Sequence, residues 1–406
     1  MEFNKNKKLF NDKFFGQTRR KIYRKKRDIV YDKNFNLKIG KHFSGSSPPE
    51  IFVGRYNYPL VNAGILSPNF FENTEELSMP EIWHKKNFSI GEILTKRNEL
   101  IYSRFKTEIK KTNRFTKLMQ EISMAYKPVS TEFFLKQIPK KKLEINKFSP
   151  IIANQAPLES ARLQENPKIK AKVDYLVSDT ENKAVDSIIE LYKNNIPISN
   201  LNKILSAGLL GLKTQRKLVP TRWSITAVDD TISKNLLKKI RLYPEINDIL
   251  VFNSEYNGNH YEIILLPEKF SFEVIEAEIK FFGGSFENIN FWQDHEFFYD
   301  RKNYANEVVG AYYANRLALC EYLEKIKRQA TALFLREINN YYAPLGVGIL
   351  RETCRDAFSK NPEKFDNLED ASEVIQSRLV LNINLFREKS VILKEYRKQI
   401  RLDKWL

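Results

Sequence analysis

Residues 213–234, KTQRKLVPTRWSITAVDDTISK, gather the most unusual set of side chains able to do chemistry. Arg222 and Lys234 are cations suited to phosphate, and Asp229 and Asp230 are adjacent carboxylates. Two readings stay open for the carboxylates. Just before a helix they would cap it by accepting hydrogen bonds from its free N–H groups. Beside a phosphate held by Arg222 and Lys234 they would bind Mg²⁺. Gly54-Arg55-Tyr56-Asn57-Tyr58-Pro59 poses a similar choice for Arg55, a buried ion-pair partner or an anion ligand. Residues 44–66 and 213–234 mix Arg, Asn, Ser or Asp with Gly, Pro and aromatics, unlike a plain core face. They are therefore expected to meet around one polar pocket, with Arg55, Arg222, Asp229, Asp230 and Lys234 as candidate catalytic residues.

Both chain ends carry a second kind of signal. The last eight residues, Gln399-Ile400-Arg401-Leu402-Asp403-Lys404-Trp405-Leu406, fit Q-x-x-[L/I/M]-x-x-aromatic-[aromatic/apolar], the pattern of sliding-clamp-binding (PIP) peptides. In one 3₁₀ turn Leu402, Trp405 and Leu406 fall on one side and plug an apolar pocket, while Gln399 hydrogen-bonds beside it. Residues 1–40 hold thirteen Lys or Arg against four Asp or Glu, a net of +9 out of +17 for the chain. Arg19, Arg20, Lys21, Arg24, Lys25, Lys26 and Arg27 form its densest run, interleaved with Phe and Tyr. Such an arm suits DNA or RNA, because neutralised phosphates release counterions and aromatics stack on bases.

Familiar catalytic patterns are missing. Gly346-Val347-Gly348 begins like a dinucleotide loop, but Arg351 stands where the third Gly belongs, and no Walker A sequence exists. His42, His84, His260 and His295 have no ligand spacing, and Cys320 and Cys354 cannot fill a four-ligand zinc site. Two cysteines in 406 residues also give no disulfide framework, so a reducing, cytoplasmic compartment is expected. No apolar run is long enough for a membrane span, and residues 1–16 lack the apolar stretch of a secretory signal.

The elements that must position these residues read as α+β. Mixed helices accompany a hairpin-containing sheet and a long, central, buried helix, between a basic N-terminal arm and a clamp-binding tail. A short strand is expected near 51–54, helices over 89–111 and parts of 112–125, an extended segment at 128–137 and a connection over 138–166. Helices at 181–195 and from a Ser199 cap to about 207, joined by a Pro-containing turn, have the outline of a helix-turn-helix. A third helix is expected from 229 to 242. Asn257-Gly258 between two β-rich runs marks a hairpin. The longest helical pattern covers 304–338, with shorter helices near 351–359, 368–378 and 386–399.

Five blocks together resemble the archaeal NreA/Nre family of DNA repair proteins. They are SGSSPPEIFVGRYNYPLVNAGIL (44–66), QEISMAYKPV (120–129), NQAPL (154–158), LSAGLLGLKTQRKLVPTRWSITAVDDTISK (205–234) and YYANRLALCEYLEKIKRQATALFLREI (312–338). The resemblance implies a DNA repair factor that binds the sliding clamp PCNA through its tail, with other repair proteins as further partners. The alternative is a nucleic-acid- or nucleotide-processing enzyme using the Arg/Asp site, with Mg²⁺. Family members typically begin with a cysteine-rich zinc segment. Residues 1–43 contain no Cys, so no metal site carries over. The domains expected are the arm 1–43, an α+β region 44–150, an α+β region 151–385 with the central helix, and a helical tail 386–406.

Overall fold

The computed structural model describes residues 39–72, 74–140, 154–282, 285–339 and 343–396; side chains at 280–282 and 285–288 are not described. Two compact units emerge. The N-terminal unit comprises described residues 39–235 and 343–349, and the C-terminal unit 236–339 and 350–396. The class is α+β, with two mixed six-stranded sheets among the described residues. No helix among them is long and apolar enough to cross a membrane.

The N-terminal unit opens with β1 (His42–Ser47), β2 (Ile51–Val53) and β3 (Leu60–Ser67). Helices α1 (Pro80–Lys85) and α2 (Ile90–Asn98) follow, then β4 (Ile101–Glu108), α3 (Arg114–Met124), β5 (Val129–Leu135) and β6 (Gln155–Leu163). The sheet order is β1-β5-β6-β4-β3-β2, antiparallel except for β4 with β6. Helix α2 starts in a full capping box, with Ser89 and Glu92 satisfying each other's backbone N–H. The helix expected over 89–111 therefore stops at Asn98. Ile101-Tyr102-Ser103-Arg104-Phe105-Lys106-Thr107 alternates buried and open positions from Ser103 on and pairs with β3. The connection expected over 138–166 likewise contains β6, whose polar residues line an antiparallel ladder with β5.

Helices α4 (Ala171–Ser178), α5 (Ala184–Lys193) and α6 (Ile198–Ser206) complete this unit with the start of α7 (Thr221–Ile240). The helix-turn-helix outline fails on burial. Every residue of α6 except Lys203 is buried, and Lys203 pairs with Glu50, so no open face remains to read a groove. Ser199 lies inside α6, whose N-cap position is Pro197. The helix expected from 229 begins eight residues earlier, because Pro220 accepts the first N–H bonds, from Trp223 (2.8 Å) and Ser224 (3.1 Å).

The C-terminal unit is built on β7 (Ile249–Tyr256), β8 (Asn259–Leu266), β9 (Ser271–Phe282) and β10 (Ser285–Glu296), with α8 (Gly310–Ile326) and β11 (Thr331–Ile338). Helix α9 (Val347–Ser359), from Leu350 on, with β12 (Glu363–Phe365), α10 (Leu368–Arg378), α11 (Ile383–Lys389) and α12 (Ile392–Glu395), closes it. The order is β10-β9-β11-β8-β7-β12. Asn257 and Gly258, at φ 50° and 76°, turn β7 into β8 as the Asn-Gly pair demands. The central helix is α8. The helical pattern expected to 338 instead breaks at Lys327, in the left-handed region, and Thr331–Ile338 is a strand between β8 and β9. One face of that strand, Ala332 and Phe334, packs with Tyr312, Leu319 and Leu323 of α8. The other, Leu333 and Leu335, packs with Ile375, Leu381 and Phe386. Both faces are buried, so no alternation marks it.

Candidate nucleic-acid interface

The β2–β3 connection, Gly54–Pro59, forms a tight corner. Asn57 sits at φ 61°, the Tyr58–Pro59 bond is cis, and Leu60 N–H donates to the Asn57 carbonyl at 2.9 Å. Gly54 N–H donates to Asn62 (2.8 Å) and closes the base of the turn. A buried hydroxyl relay fastens α7 to this corner. Val53 N–H donates to Thr221 Oγ1 at 2.9 Å, Thr221 Oγ1 lies 3.1 Å from Ser206 Oγ, and Ser206 donates to the Val219 carbonyl at 2.7 Å. The two sequence segments rich in Arg, Gly and Pro are thus joined by a direct hydrogen bond, from Val53 to Thr221.

The relay brings Trp223, on the first turn of α7, against Tyr58 with ring centroids 5.3 Å apart. Tyr56 is 68% exposed and Trp223 47% exposed, too open for core residues. The Arg55 guanidinium lies 5.5 Å from the Tyr56 ring centroid, and Arg55 and Arg222 are both exposed. Behind the rim, Tyr102 donates to the carbonyls of Phe52 and Asn62, both at 3.3 Å. Burial pushes its phenol far above the ordinary range, against the pull of Arg104, so it remains a donor. Exposed aromatic rings beside guanidinium groups have the chemistry that base stacking and phosphate contact require.

The five candidate catalytic residues do not converge. Arg55 and Arg222 stand at the rim. Asp229 is fully buried about 10 Å further along α7, from the rise per residue. Its backbone carbonyl accepts from Ser233 Oγ at 2.8 Å. Asp230 pairs with Lys234 at 2.8 Å across one helical turn. Consecutive helical positions diverge by about 100°, so the two carboxylates face different ways. The capping reading fails as well, since both lie inside the helix. Among the described residues no group of three or more His, Cys, Asp or Glu is placed to hold a metal ion. Arg19, Arg20, Lys21, Arg24, Lys25, Lys26 and Arg27 of the arm, and Gln399, Leu402, Trp405 and Leu406 of the tail, lie outside the described residues.

Family models for "Archaeal Nre, N-terminal" and "Archaeal Nre, C-terminal" match residues 16–281 and 296–405. The chain belongs to the archaeal Nre family. DNA repair protein NreB of Archaeoglobus fulgidus is 33% identical over 368 residues, 89% of this chain and 92% of its own. DNA repair protein NreA of the same organism is 36% identical over 84% of this chain and 87% of its own. NreA of Haloferax volcanii is 32% identical over 87% of each. No solved structure matches this Nre chain significantly.

The neighbouring β1–β2 connection is held by a residue with no local sequence signal. Glu50, buried, pairs with Arg97 of α2 at 3.2 Å and with Lys203 of α6. That triad ties the β1–β2 connection to two helices. Its partners stand 47 and 153 residues away in sequence, so no local pattern announces it.

Proposed function

We propose that this Nre chain is a DNA repair factor brought to its substrate by the sliding clamp PCNA, through the terminal peptide Gln399–Leu406. The near-full-length likeness to proteins named for DNA repair carries the repair reading. The spacing Gln399, Leu402, Trp405, Leu406 carries the clamp. The basic arm, Arg19 to Arg27, adds weak contact with DNA or RNA that does not depend on base sequence. The Arg55/Tyr58/Trp223 rim supports a nucleic-acid-facing protein, with other repair proteins as further partners.

Calorimetric titration of the host's clamp tests the reading, using the full chain and a chain ending at Lys398. The full chain is expected to bind at roughly micromolar Kd, about −8 kcal/mol. Trp405→Ala should weaken that by at least about 2 kcal/mol, as for an aromatic hot spot. Equal binding by the full and shortened chains would remove the tail as the contact. Deleting residues 1–40 should lower oligonucleotide affinity and flatten its salt dependence; an unchanged slope rejects the arm as a contact surface.

A further inference from the structure

The N-terminal sheet contains a cavity of about 700 Å³ where β4 parts from β6. The two strands pair only over residues 102–104 and 155–157. Arg104, Phe105 and Lys106 on β4, and Pro157 and Leu158 on β6, line the opening where the ladder stops. Lys111, Arg114 at the start of α3, and Lys136 just after β5 complete a ring of five cations. Among the described residues, no carboxylate lines it. Among the described residues, Arg104, Lys106, Lys111 and Lys136 form no ion pair, and no side-chain hydrogen bond holds the three lysines.

The ring is built rather than incidental. Arg104 and Lys106 are alternate residues of one strand and so share a face. Gly64 lies opposite Arg104, and a Cβ there would stand 2.2 Å from the Ser103 carbonyl oxygen, so the two strands approach too closely for any side chain. Arg114 is pinned by a hydrogen bond to the Glu159 carbonyl (3.0 Å) and lies 4.7 Å from the Phe115 ring centroid. Phe115 packs on Phe105 at 5.4 Å, giving the cavity an apolar wall. Five cations at one opening, with no carboxylate among the described lining residues, repel one another, and a polyanion relieves that repulsion. The volume falls within the range of small-ligand sites and admits a short stretch of one strand rather than a duplex.

We propose that this cavity seats the phosphates of single-stranded nucleic acid, with Arg104, Lys106, Lys111, Arg114 and Lys136 as the contacts. Its position extends the aromatic rim. Leu60, 48% exposed and paired with Glu108, shares a strand face with Asn62, which is paired with Lys106 at the cavity. Leu60 and the exposed Glu108 opposite it separate the rim from Lys106 on this face, so a strand reaching both would cross one apolar and one acidic side chain. The choice of nucleic acid over a free phosphate compound rests on the DNA repair reading; the site itself rests on the geometry.

The test is fluorescence anisotropy of a labelled oligothymidylate 20-mer with the full chain, titrated at several salt concentrations. Lys106→Glu with Lys136→Glu is expected to weaken binding at least about tenfold and to lower the salt slope by about 1.4, from roughly 0.7 per phosphate contact. Both lysines are exposed, so the variant should keep the parent's melting temperature. Lys238→Glu with Lys325→Glu, the same charge change at exposed sites of the other unit, is the control and should stay within about threefold. Equal loss in both pairs means net charge alone, and no loss in either means no site; each overturns the proposal. A cavity variant that keeps the oligonucleotide but loses binding of thymidine monophosphate overturns the strand in favour of a free phosphate ligand. Clamp binding does not enter this assay. Failure of the tail experiment with a positive result here rejects PCNA recruitment and leaves the cavity standing.

Discussion

In the C-terminal unit Arg316 of α8 reaches Glu296 at 2.9 and 3.0 Å, and both side chains are wholly buried. Arg336 on β11 meets Glu276 and Asn259, and Arg378 on α10 meets the buried Glu262 at 2.9 Å. Glu337 accepts from the backbone N–H groups of Val380 and Leu381, at 3.0 and 2.6 Å. In the N-terminal unit Arg104, Lys106, Lys111 and Lys136 ring an opening with no carboxylate among its described lining residues, and Tyr56, Tyr58 and Trp223 stand open to solvent. A buried guanidinium must be paired, because an isolated charge out of water is far too costly. A solvated one need not be, and leaving it unpaired keeps it ready for an outside anion. The difference separates charge tied into the fold from charge left open to solvent.

Breaking the buried side of that contrast should have the largest effect. Glu296→Ala leaves the Arg316 guanidinium, stacked near Tyr312 and Tyr313, without its bidentate partner. The expected cost is about 3–5 kcal/mol, the range for removing one half of a buried pair. Urea unfolding should show a lower midpoint at similar slope. Replacing both partners with apolar residues, Glu296→Leu with Arg316→Met, should restore most of the loss. If the single change costs under about 1 kcal/mol, that pair is not the fastener described.

A smaller effect, readable by pH, comes from His260 on β8. Burial pulls its pKa down, but the carboxylates of Glu255 and Glu262 more than reverse this and hold it up to about 9. Nε2 is 2.8 Å from Glu262, while Nδ1 is 3.6 Å from Glu255, an ion-pair distance only. The folded chain therefore binds this proton more tightly than the unfolded one. The stabilisation is fully present below the unfolded value, about 6.5, and is lost as pH rises through about 9. His260→Gln should flatten the stability profile between pH 6.5 and 9. A profile unchanged by the substitution would show that the imidazole is not held charged.

What the sequence reveals follows the same division. The Asn257-Gly258 hairpin and α5 are legible because turn chemistry and a one-sided apolar stripe are local. Thr331–Ile338 reads as helix because a strand buried on both faces has no period of two. The strands Ser271–Phe282 and Ser285–Glu296 leave no clear trace for another reason. Glu273 and Glu276 interrupt their apolar pattern, yet Glu273 is buried against Ser390, Val391 and Ile392, more than a hundred residues on. At the candidate interface, Arg55 and Arg222 stand out because each lies among Pro and aromatics. The cavity cations do not, because β4, the loop before α3, α3 itself and the chain after β5 each supply only one or two of them.

The smallest expected effect sharpens the comparison from the open side. Lys106→Ala removes a cation that is exposed and makes no ion pair among the described residues. Nothing in the fold depends on its ammonium group. Removing it also relieves repulsion from Arg104, two positions away on the same strand face. Stability should therefore stay within about 0.5 kcal/mol of the parent, with any shift toward greater stability. The methylene stem covers little, so lost packing is not expected to offset this. Urea midpoints measured at low and at moderate salt decide the matter. A gain at low salt that vanishes as salt screens the ring identifies repulsion as its source. A loss above about 1 kcal/mol would make Lys106 part of the framework, and the contrast between paired and waiting charge would fail at the residue where it is most exposed.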